Sequence, residues 1–180
     1  MWRELSLALL ETEPFRHVII DDACERPDEL LAVVDDEGVE AYESDIFKFE
    51  ATAPEPRSTE FRALRDAFAA ELAPALSRLT GRAVTRCDMR AYAYRPGHYL
   101  LPHTDHQEGL LRQLAYAYYL PSPARPTGGE LELFAGMHSA KLIAPRNNRL
   151  VIFEVGDSSL HQVREVLSGL RISLAGWFYA

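Results

Sequence analysis

The sequence predicts an α+β fold, mainly β, in which short strands form a sandwich or jelly roll and N-terminal helices pack on one outer face. From Val84 onward, short apolar segments alternate with turn signals such as Pro96-Gly97 and Ser168-Gly169. The preceding residues instead carry apolar residues at helical spacing. With 180 residues, 47% of them hydrophobic, the chain is long enough to bury one core. We therefore predict a single domain over 1–180, with a mixed α/β buttress over 1–83 and a β core over 84–180.

The first elements follow from local signals. Met1 to Leu10 is predicted to be a short amphipathic helix, and Phe15 to Asp22 a strand with β-branched residues at its centre. Pro27-Asp28-Glu29 suits the start of a helix, because proline and acidic side chains are both favoured in a first turn. Glu40 to Ala51 is strand-like.

A longer helix is predicted after Ser58, whose hydroxyl is suited to cap its first turn. Pro74 is expected to bend or divide this helix, and Gly81 to end it. The helix is recognised by apolar residues that recur at spacings of three or four: Phe61, Leu64, Ala67, Phe68, Leu72 and Leu76.

The second half of the chain contains most of the predicted strands. Several are rich in β-branched or aromatic residues, and turn residues separate many of them. The predicted strands are Thr85 to Tyr94, Gln113 to Leu120, Glu130 to Phe134, Ala140 to Ile143, Arg149 to Val155, Gln162 to Val166 and Leu170 to Tyr179.

Charge and cysteine content limit the partners and the compartment. The chain has 27 acidic and 19 basic residues, a net charge of −8, and no run of lysine or arginine. We therefore expect neither nucleic acid nor an anionic membrane as a partner. Cys24 and Cys87 lie too far apart in sequence for a CxxC pair, which favours a reducing, cytoplasmic location. The apolar run Leu5 to Leu10 is too short for a signal peptide, and no segment approaches the roughly 18 apolar residues of a membrane span.

The chemistry is expected near His103 and Asp105, which lie two residues apart in the segment Tyr94 to Asp105. On an extended strand such residues project from one face and could bind one metal ion. His161 is the candidate third ligand. Two imidazoles and one carboxylate leave coordination positions open, as in non-haem Fe(II) sites that activate oxygen. Catalytic zinc accepts the same ligands, so the ligand set alone does not separate the two metals.

Several ordered blocks of the sequence resemble the 2-oxoglutarate- and Fe(II)-dependent dioxygenases, and most closely their prolyl 4-hydroxylase-like branch. The resemblance covers roughly residues 84–180 and includes an arginine, Arg171, ten positions after His161. It implies a double-stranded β-helix (jelly roll) fold. The blocks are Tyr94 to Asp105, Tyr118-Tyr119-Leu120, Gly128 to Leu131, Asn148 to Phe153, His161-Gln162-Val163 and Arg171 to Trp177.

The resemblance also implies residue roles. His103, Asp105 and His161 would bind iron, Arg171 would pair with the distal carboxylate of 2-oxoglutarate, and Tyr119 would donate a hydrogen bond to the same carboxylate. A planar guanidinium suits this role because it binds a carboxylate through two hydrogen bonds and stays charged.

Three further residues are implied as walls of the cosubstrate pocket. Tyr94 and Trp177 match aromatic wall residues, and Ser173 shares a strand face with Arg171 if the last strand is regular. We interpret the remaining tyrosines of these strands, Tyr92, Tyr116 and Tyr118, as packing residues.

The implied activity is hydroxylation of an unactivated C–H bond, in a prolyl residue of a protein or in a free amino acid, with release of succinate and CO2. It would use Fe(II), 2-oxoglutarate and O2, with ascorbate as an accessory reductant. Two alternatives stay open at this point: a non-catalytic 2-oxoglutarate- or oxygen-sensing or protein-binding module on the same fold, and a zinc hydrolase of cupin-like fold. Residues 43–57 and 106–112 are expected to gate the pocket. The sequence predicts neither the prime substrate nor the oligomeric state.

Overall fold

The computed structural model describes residues 1–3 and 9–180. Of the helix predicted from Met1 to Leu10, residues 4–8 lie outside the described residues, and residues 1–3 are not helical, because Trp2 forms an antiparallel β-bridge with Cys24. The described residues form two helices, α1 (Pro27–Glu37) and α2 (Thr59–Thr80). The strands are β1 (His17–Ile20), β2 (Glu40–Ser44), β3 (Phe47–Ala51), β4 (Arg86–Cys87), β5 (Arg90–Tyr94), β6 (Tyr99–His103), β7 (Arg112–Tyr119), β8 (Thr127–Gly128), β9 (Leu131–Ala135), β10 (His138–Ile143), β11 (Arg149–Glu154), β12 (His161–Val163), β13 (Val166–Ser168) and β14 (Arg171–Tyr179).

Twelve of the strands form one curled antiparallel sheet, in the order β1-β11-β7-β14-β5-β3-β6-β12-β9-β10, with β2 and β4 paired to β3 and β14. β8 and β13 pair separately. Because β3 pairs with both β5 and β6, it joins the two halves of the curl. The predicted double-stranded β-helix, mainly β and with its helices on one face, is confirmed.

The helices cover the outer face of the strands β5, β7, β11 and β14. Phe68 of α2 is fully buried there and packs its ring 4.7 Å from that of Trp2 and 4.7 Å from that of Tyr116. This packing leaves the inner face of the same strands free to line the interior of the curl. The site described below therefore lies opposite the helices. Neither helix in the described part of the chain is long and apolar enough to cross a membrane.

The ends of α2 are those predicted. Ser58 Oγ accepts the backbone N–H of Phe61 at 3.1 Å, and Gly81 adopts φ 71° while its N–H donates to Ser77 O. Pro74 was predicted to bend or divide the helix. It does not divide it, because α2 is continuous through Pro74. The buried residues on both sides, Leu72 and Leu76, stabilise the helix where the proline removes one hydrogen bond.

Two predicted strands are each divided in the structure. Glu40 to Ala51 is the hairpin β2–β3, and Thr85 to Tyr94 is split into β4 and β5. At the second break the Asp88 carboxylate accepts the backbone N–H of Trp177 at 2.6 Å and the hydroxyl of Tyr179 at 2.8 Å. These bonds replace regular strand pairing at that position. The short strand β8 was not among the predicted strands, and β6 was expected only as an extended segment carrying His103 and Asp105, without bounds.

Candidate active site

The register of β6 and β12 brings the two candidate histidine ligands together. His161 lies directly opposite His103 in this antiparallel pair, so both imidazoles project into the interior of the curl. Their ring centroids are 4.3 Å apart. Residues far apart in sequence therefore present their ring nitrogens to one point.

Asp105 completes the cluster from a loop. The prediction that one strand carries both His103 and Asp105 is wrong in detail, because β6 ends at His103. The Asp105 carboxylate nevertheless lies between the histidines, with Oδ1 3.6 Å from His103 Nε2 and Oδ2 3.5 Å from His161 Nε2. The loop is held in part by Arg112, which donates to the carbonyl of Asp105 at 3.2 Å.

The hydrogen bonds of the two histidines fix which ring nitrogen is free. Nδ1 of His103 lies 2.8 Å from the carbonyl of Leu101, and Nδ1 of His161 lies 2.9 Å from that of Ser159. A carbonyl can only accept, so each Nδ1 carries the proton and each Nε2 lone pair points into the cluster. Burial also lowers the pKa of His161 well below its ordinary value, which favours the neutral, ligating form.

This cluster has the chemistry of a metal site. One ligand atom from each of His103, Asp105 and His161 lies within 4.8 Å of the others. Two neutral imidazole nitrogens and one carboxylate are the donor set of non-haem Fe(II) sites with open positions. The residues therefore fit an iron ion.

A cavity of about 410 Å³ adjoins this cluster. Its wall combines the candidate metal ligands with residues of β3, β5, β6, β7 and β14, so both halves of the curled sheet contribute. The lining includes Phe47, Phe49, Tyr92, Tyr94, Arg112, Arg171, Ser173 and Trp177.

Arg171 is a buried cation in the wall of this cavity. It is 3% exposed, and its guanidinium carbon lies 4.7 Å from the ring centroid of Tyr94 and 5.0 Å from that of Tyr119. Its one side-chain hydrogen bond among the described residues is a long one, 3.4 Å to Ser173 Oγ, and its Nε has no partner there. A buried charge without a counter-ion is costly, so this position favours an anionic ligand.

Tyr119 places a second polar group without a partner beside Arg171. Its hydroxyl is buried and forms no hydrogen bond with any described residue, although buried hydroxyl groups are normally hydrogen-bonded. Tyr119 is not part of the cavity lining itself; its ring packs on the guanidinium of Arg171. The two residues thus carry hydrogen-bond donors that are largely unused by the described residues.

Several wall residues were not identified from the sequence. Tyr92, interpreted as a packing residue, does pack against Phe49 with ring centroids 5.2 Å apart, and it also lines the cavity. The guanidinium carbon of Arg112 lies 3.5 Å from the ring centroid of Trp177. The only signal for Tyr92 was its shared strand face with Tyr94, and no local pattern connects Arg112 to Trp177.

The comparisons with known proteins agree with this site. The family model of the 2OG-Fe(II) oxygenase superfamily matches residues 89–179, which is just over half of the chain and contains all the candidate ligands. The chain belongs to the 2OG-Fe(II) oxygenase superfamily. Members use Fe(II), 2-oxoglutarate and O2, in keeping with the His-Asp-His cluster.

Relatives of this oxygenase carry the names of prolyl hydroxylases. The chain is 33% identical to prolyl 3-hydroxylase OGFOD1 of Mus musculus, over 94% of this chain and 34% of that protein. It is 32% identical to prolyl 3-hydroxylase sudestada1 of Drosophila melanogaster, over 61% of this chain and 23% of that protein. The chain thus spans about a third or less of the length of these relatives.

Solved structures show the same fold. A prolyl-4-hydroxylase from Pseudomonas putida matches with a TM-score of 0.73 and 18% identity, covering 91% of each chain. A prolyl hydroxylase from Trichoplax adhaerens, solved with a peptide fragment of hypoxia inducible factor, matches with a TM-score of 0.71 and 18% identity, covering 91% of this oxygenase and 83% of that chain.

Proposed function

We propose that this chain is a 2-oxoglutarate-dependent prolyl hydroxylase that acts on a prolyl residue within a polypeptide. The observation that carries the proposal is Arg171, a buried cation without a carboxylate partner among the described residues, in the wall of the same cavity as the His-Asp-His cluster. That combination provides for a metal ion and an acidic cosubstrate together.

The proposed division of roles follows the geometry. His103, Asp105 and His161 hold Fe(II), and Arg171 with Tyr119 binds the distal carboxylate of 2-oxoglutarate. Once bound, the iron and cosubstrate supply the oxidising chemistry, with succinate and CO2 as by-products and ascorbate as the expected reductant. Because both halves of the curled sheet line the cavity, the protein also restricts water around the reacting groups.

Tyr94 and Ser173 orient Arg171 in this proposal. The ring of Tyr94 covers one side of the guanidinium, and Ser173 Oγ accepts a hydrogen bond from it. Arg171 pairs with Tyr94 across β14 and β5, so both side chains lie on the inner face. The arginine is thereby presented to the cavity in one orientation.

The remaining wall favours a peptide over a free amino acid. After the ligands and Arg171 are assigned, the wall retains aromatic side chains and one cation, Arg112, while Asp105 is the only carboxylate among the described residues that line it. The α-ammonium group of a free amino acid would therefore have no anionic partner, and its desolvation would be costly. A prolyl residue joined by peptide bonds presents no such charge. The names of the matching relatives, prolyl 3-hydroxylases, support the same residue type.

Proline-containing peptides are therefore expected to stimulate succinate formation, and free L-proline is not. The measurement uses purified protein with Fe(II), 2-oxoglutarate and ascorbate, and follows succinate and the gain of one oxygen atom in the peptide by mass spectrometry. The same peptides with every proline replaced by alanine are the control. Turnover of free proline at a rate equal to or above that of every peptide would contradict the peptide assignment.

Tyr119→Phe is expected to weaken 2-oxoglutarate binding by about tenfold, because it removes one hydrogen bond to a charged carboxylate. The ring and its packing against Arg171 remain, so the melting temperature should change little. Tyr118→Phe is the matched control: its hydroxyl bonds Asn148 at 2.9 Å on the outer side of the sheet. An equal effect of the two substitutions on cosubstrate affinity would exclude the proposed role of Tyr119.

A further inference from the structure

Gly129, which follows β8, lies against the side chain of Arg171. Its backbone has φ +70° and donates a hydrogen bond to the carbonyl of Glu165 at 3.1 Å. A Cβ atom at this position would lie 3.1 Å from Cδ of Arg171 and 2.9 Å from Cγ2 of Val166. Both distances are shorter than an ordinary carbon–carbon contact. Because Gly129 has no side chain, the aliphatic part of the Arg171 side chain can lie against its backbone.

The groups around this gap have little room to move. Val166 is fully buried and packs in one cluster with Tyr94. Its own backbone is fixed on both sides, by its N–H to the carbonyl of His98 and by its carbonyl to the N–H of Gly97. Arg171 is confined by the two tyrosine rings that flank its guanidinium. A methyl group in the gap would therefore displace the arginine stem, because the other neighbour is held more firmly.

We infer that Gly129 is a positioning residue for Arg171: its lack of a side chain determines where the guanidinium lies and hence how tightly the distal carboxylate of 2-oxoglutarate is bound. The inference rests on the proposed function, since it gives Arg171 the same ligand. Gly129 itself touches neither metal nor cosubstrate in this account. A displaced guanidinium cannot keep both parallel hydrogen bonds to a carboxylate.

The test measures binding without turnover. Protein loaded with Mn(II), in place of iron, is titrated with 2-oxoglutarate by calorimetry under argon. Gly129→Ala is expected to raise the Kd for 2-oxoglutarate by about tenfold or more, because one charge-assisted hydrogen bond is lost. The Kd for oxalate should be unchanged, because oxalate can chelate the metal but has no distal carboxylate for Arg171.

Gly81→Ala is the matched control for backbone strain. Gly81 has φ +71°, almost the same as Gly129, but a Cβ there would meet no described atom within 4 Å. Both variants therefore carry the strain of a left-handed alanine, and only Gly129→Ala crowds Arg171. In steady state, Gly129→Ala should raise the KM for 2-oxoglutarate and leave kcat nearly unchanged, whereas Gly81→Ala should alter neither.

A rescue experiment separates positioning from general damage. Val166→Ala removes the methyl group that lies 2.9 Å from the new Cβ, so the double variant gives the alanine room on the side away from Arg171. The Kd of the double variant for 2-oxoglutarate is expected to lie close to that of Val166→Ala alone, so that most of the affinity lost in Gly129→Ala is recovered. If Gly129→Ala does not fold, Val166→Ile adds one methyl group to the same region without altering a backbone angle, and is expected to raise the Kd for 2-oxoglutarate but not that for oxalate.

The outcomes are distinct. Unchanged 2-oxoglutarate affinity in folded Gly129→Ala, or equal loss of affinity for 2-oxoglutarate and oxalate, overturns the positioning role and leaves the proposed function intact. Failure of the unaltered, Mn(II)-loaded protein to bind 2-oxoglutarate overturns the proposed function and this inference together. Selective loss of 2-oxoglutarate affinity with recovery in the double variant supports the inference.

Discussion

Asp105→Ala is expected to abolish Fe(II) binding and succinate formation together. Asp105 is the only carboxylate of the His-Asp-His cluster, and its two oxygens lie 3.6 and 3.5 Å from the Nε2 atoms of His103 and His161. Without it, two neutral imidazoles remain, and the metal loses its anionic ligand. Changes to residues that merely support ligands cost about 10–100-fold in metal affinity, so loss of a ligand should exceed that range. The measurement is iron stoichiometry after anaerobic loading, together with succinate yield.

Asp157→Ala is the matched control. Its carboxylate lies 3.4 Å from Nε2 of His106, the residue after Asp105, but its side chain is 90% exposed. It should bind iron and form succinate like the unaltered protein. Undiminished succinate formation by Asp105→Ala would contradict the assignment of the metal site. Turnover without oxygen in protein that retains zinc would instead favour the hydrolase alternative.

Arg171→Met is expected to raise the KM for 2-oxoglutarate by about a hundredfold or more. The substitution removes two charge-assisted hydrogen bonds, each worth about 1.5–3 kcal/mol. Methionine keeps an unbranched apolar stem between Tyr94 and Tyr119 and removes a buried charge, so the free energy of unfolding should not fall. The measurement is the dependence of initial rate on 2-oxoglutarate concentration, with a thermal melt.

Arg149→Met provides the contrasting result. Arg149 donates from Nε and Nη2 to the two carboxylate oxygens of Asp21, at 2.6 and 2.8 Å. These hydrogen bonds hold the pKa of Asp21 below its ordinary value. The variant should lower the melting temperature while leaving the KM for 2-oxoglutarate unchanged. If the two arginine variants changed KM equally, Arg171 would not be the specific partner of the cosubstrate.

The sequence predicted the metal cluster better than the local geometry that forms it. His103 and Asp105 were expected on one strand, yet Asp105 lies beyond β6 and reaches the cluster through a loop. His161 was a candidate third ligand from its residue type, but local patterns could not place it beside His103, because the two residues that pair are far apart in sequence. Periodicity describes neighbours along one element and carries no information about which strands pair.

The helices α1 and α2 were predicted well because their end signals are local. Ser58 and Gly81 cap α2 as their residue types require. The β2–β3 hairpin was read as one strand because its turn, around Asp45-Ile46, contains neither glycine nor proline. The strand expected to carry His103 was given no bounds, and Pro102 within β6 weakens the local strand signal there.

The aromatic wall of the cavity was the least predictable part. Phe47 and Phe49 reach the cavity because β3 joins the two halves of the curled sheet, and Arg112 meets Trp177 across β7 and β14. Both facts depend on sheet topology, which single-sequence patterns do not encode. Motif blocks identified the candidate ligands and Arg171, because chemistry restricts the residue types at those positions.

The most direct test of the central claim is an anaerobic titration of Fe(II)-loaded protein with 2-oxoglutarate, followed by visible absorption. Chelation of Fe(II) by the keto acid produces a metal-to-ligand charge-transfer band. We expect this band to saturate at one equivalent of 2-oxoglutarate per iron in the unaltered protein, to be absent in Asp105→Ala, and to require a far higher concentration in Arg171→Met. Iron bound stoichiometrically with no such band at saturating 2-oxoglutarate would contradict the account.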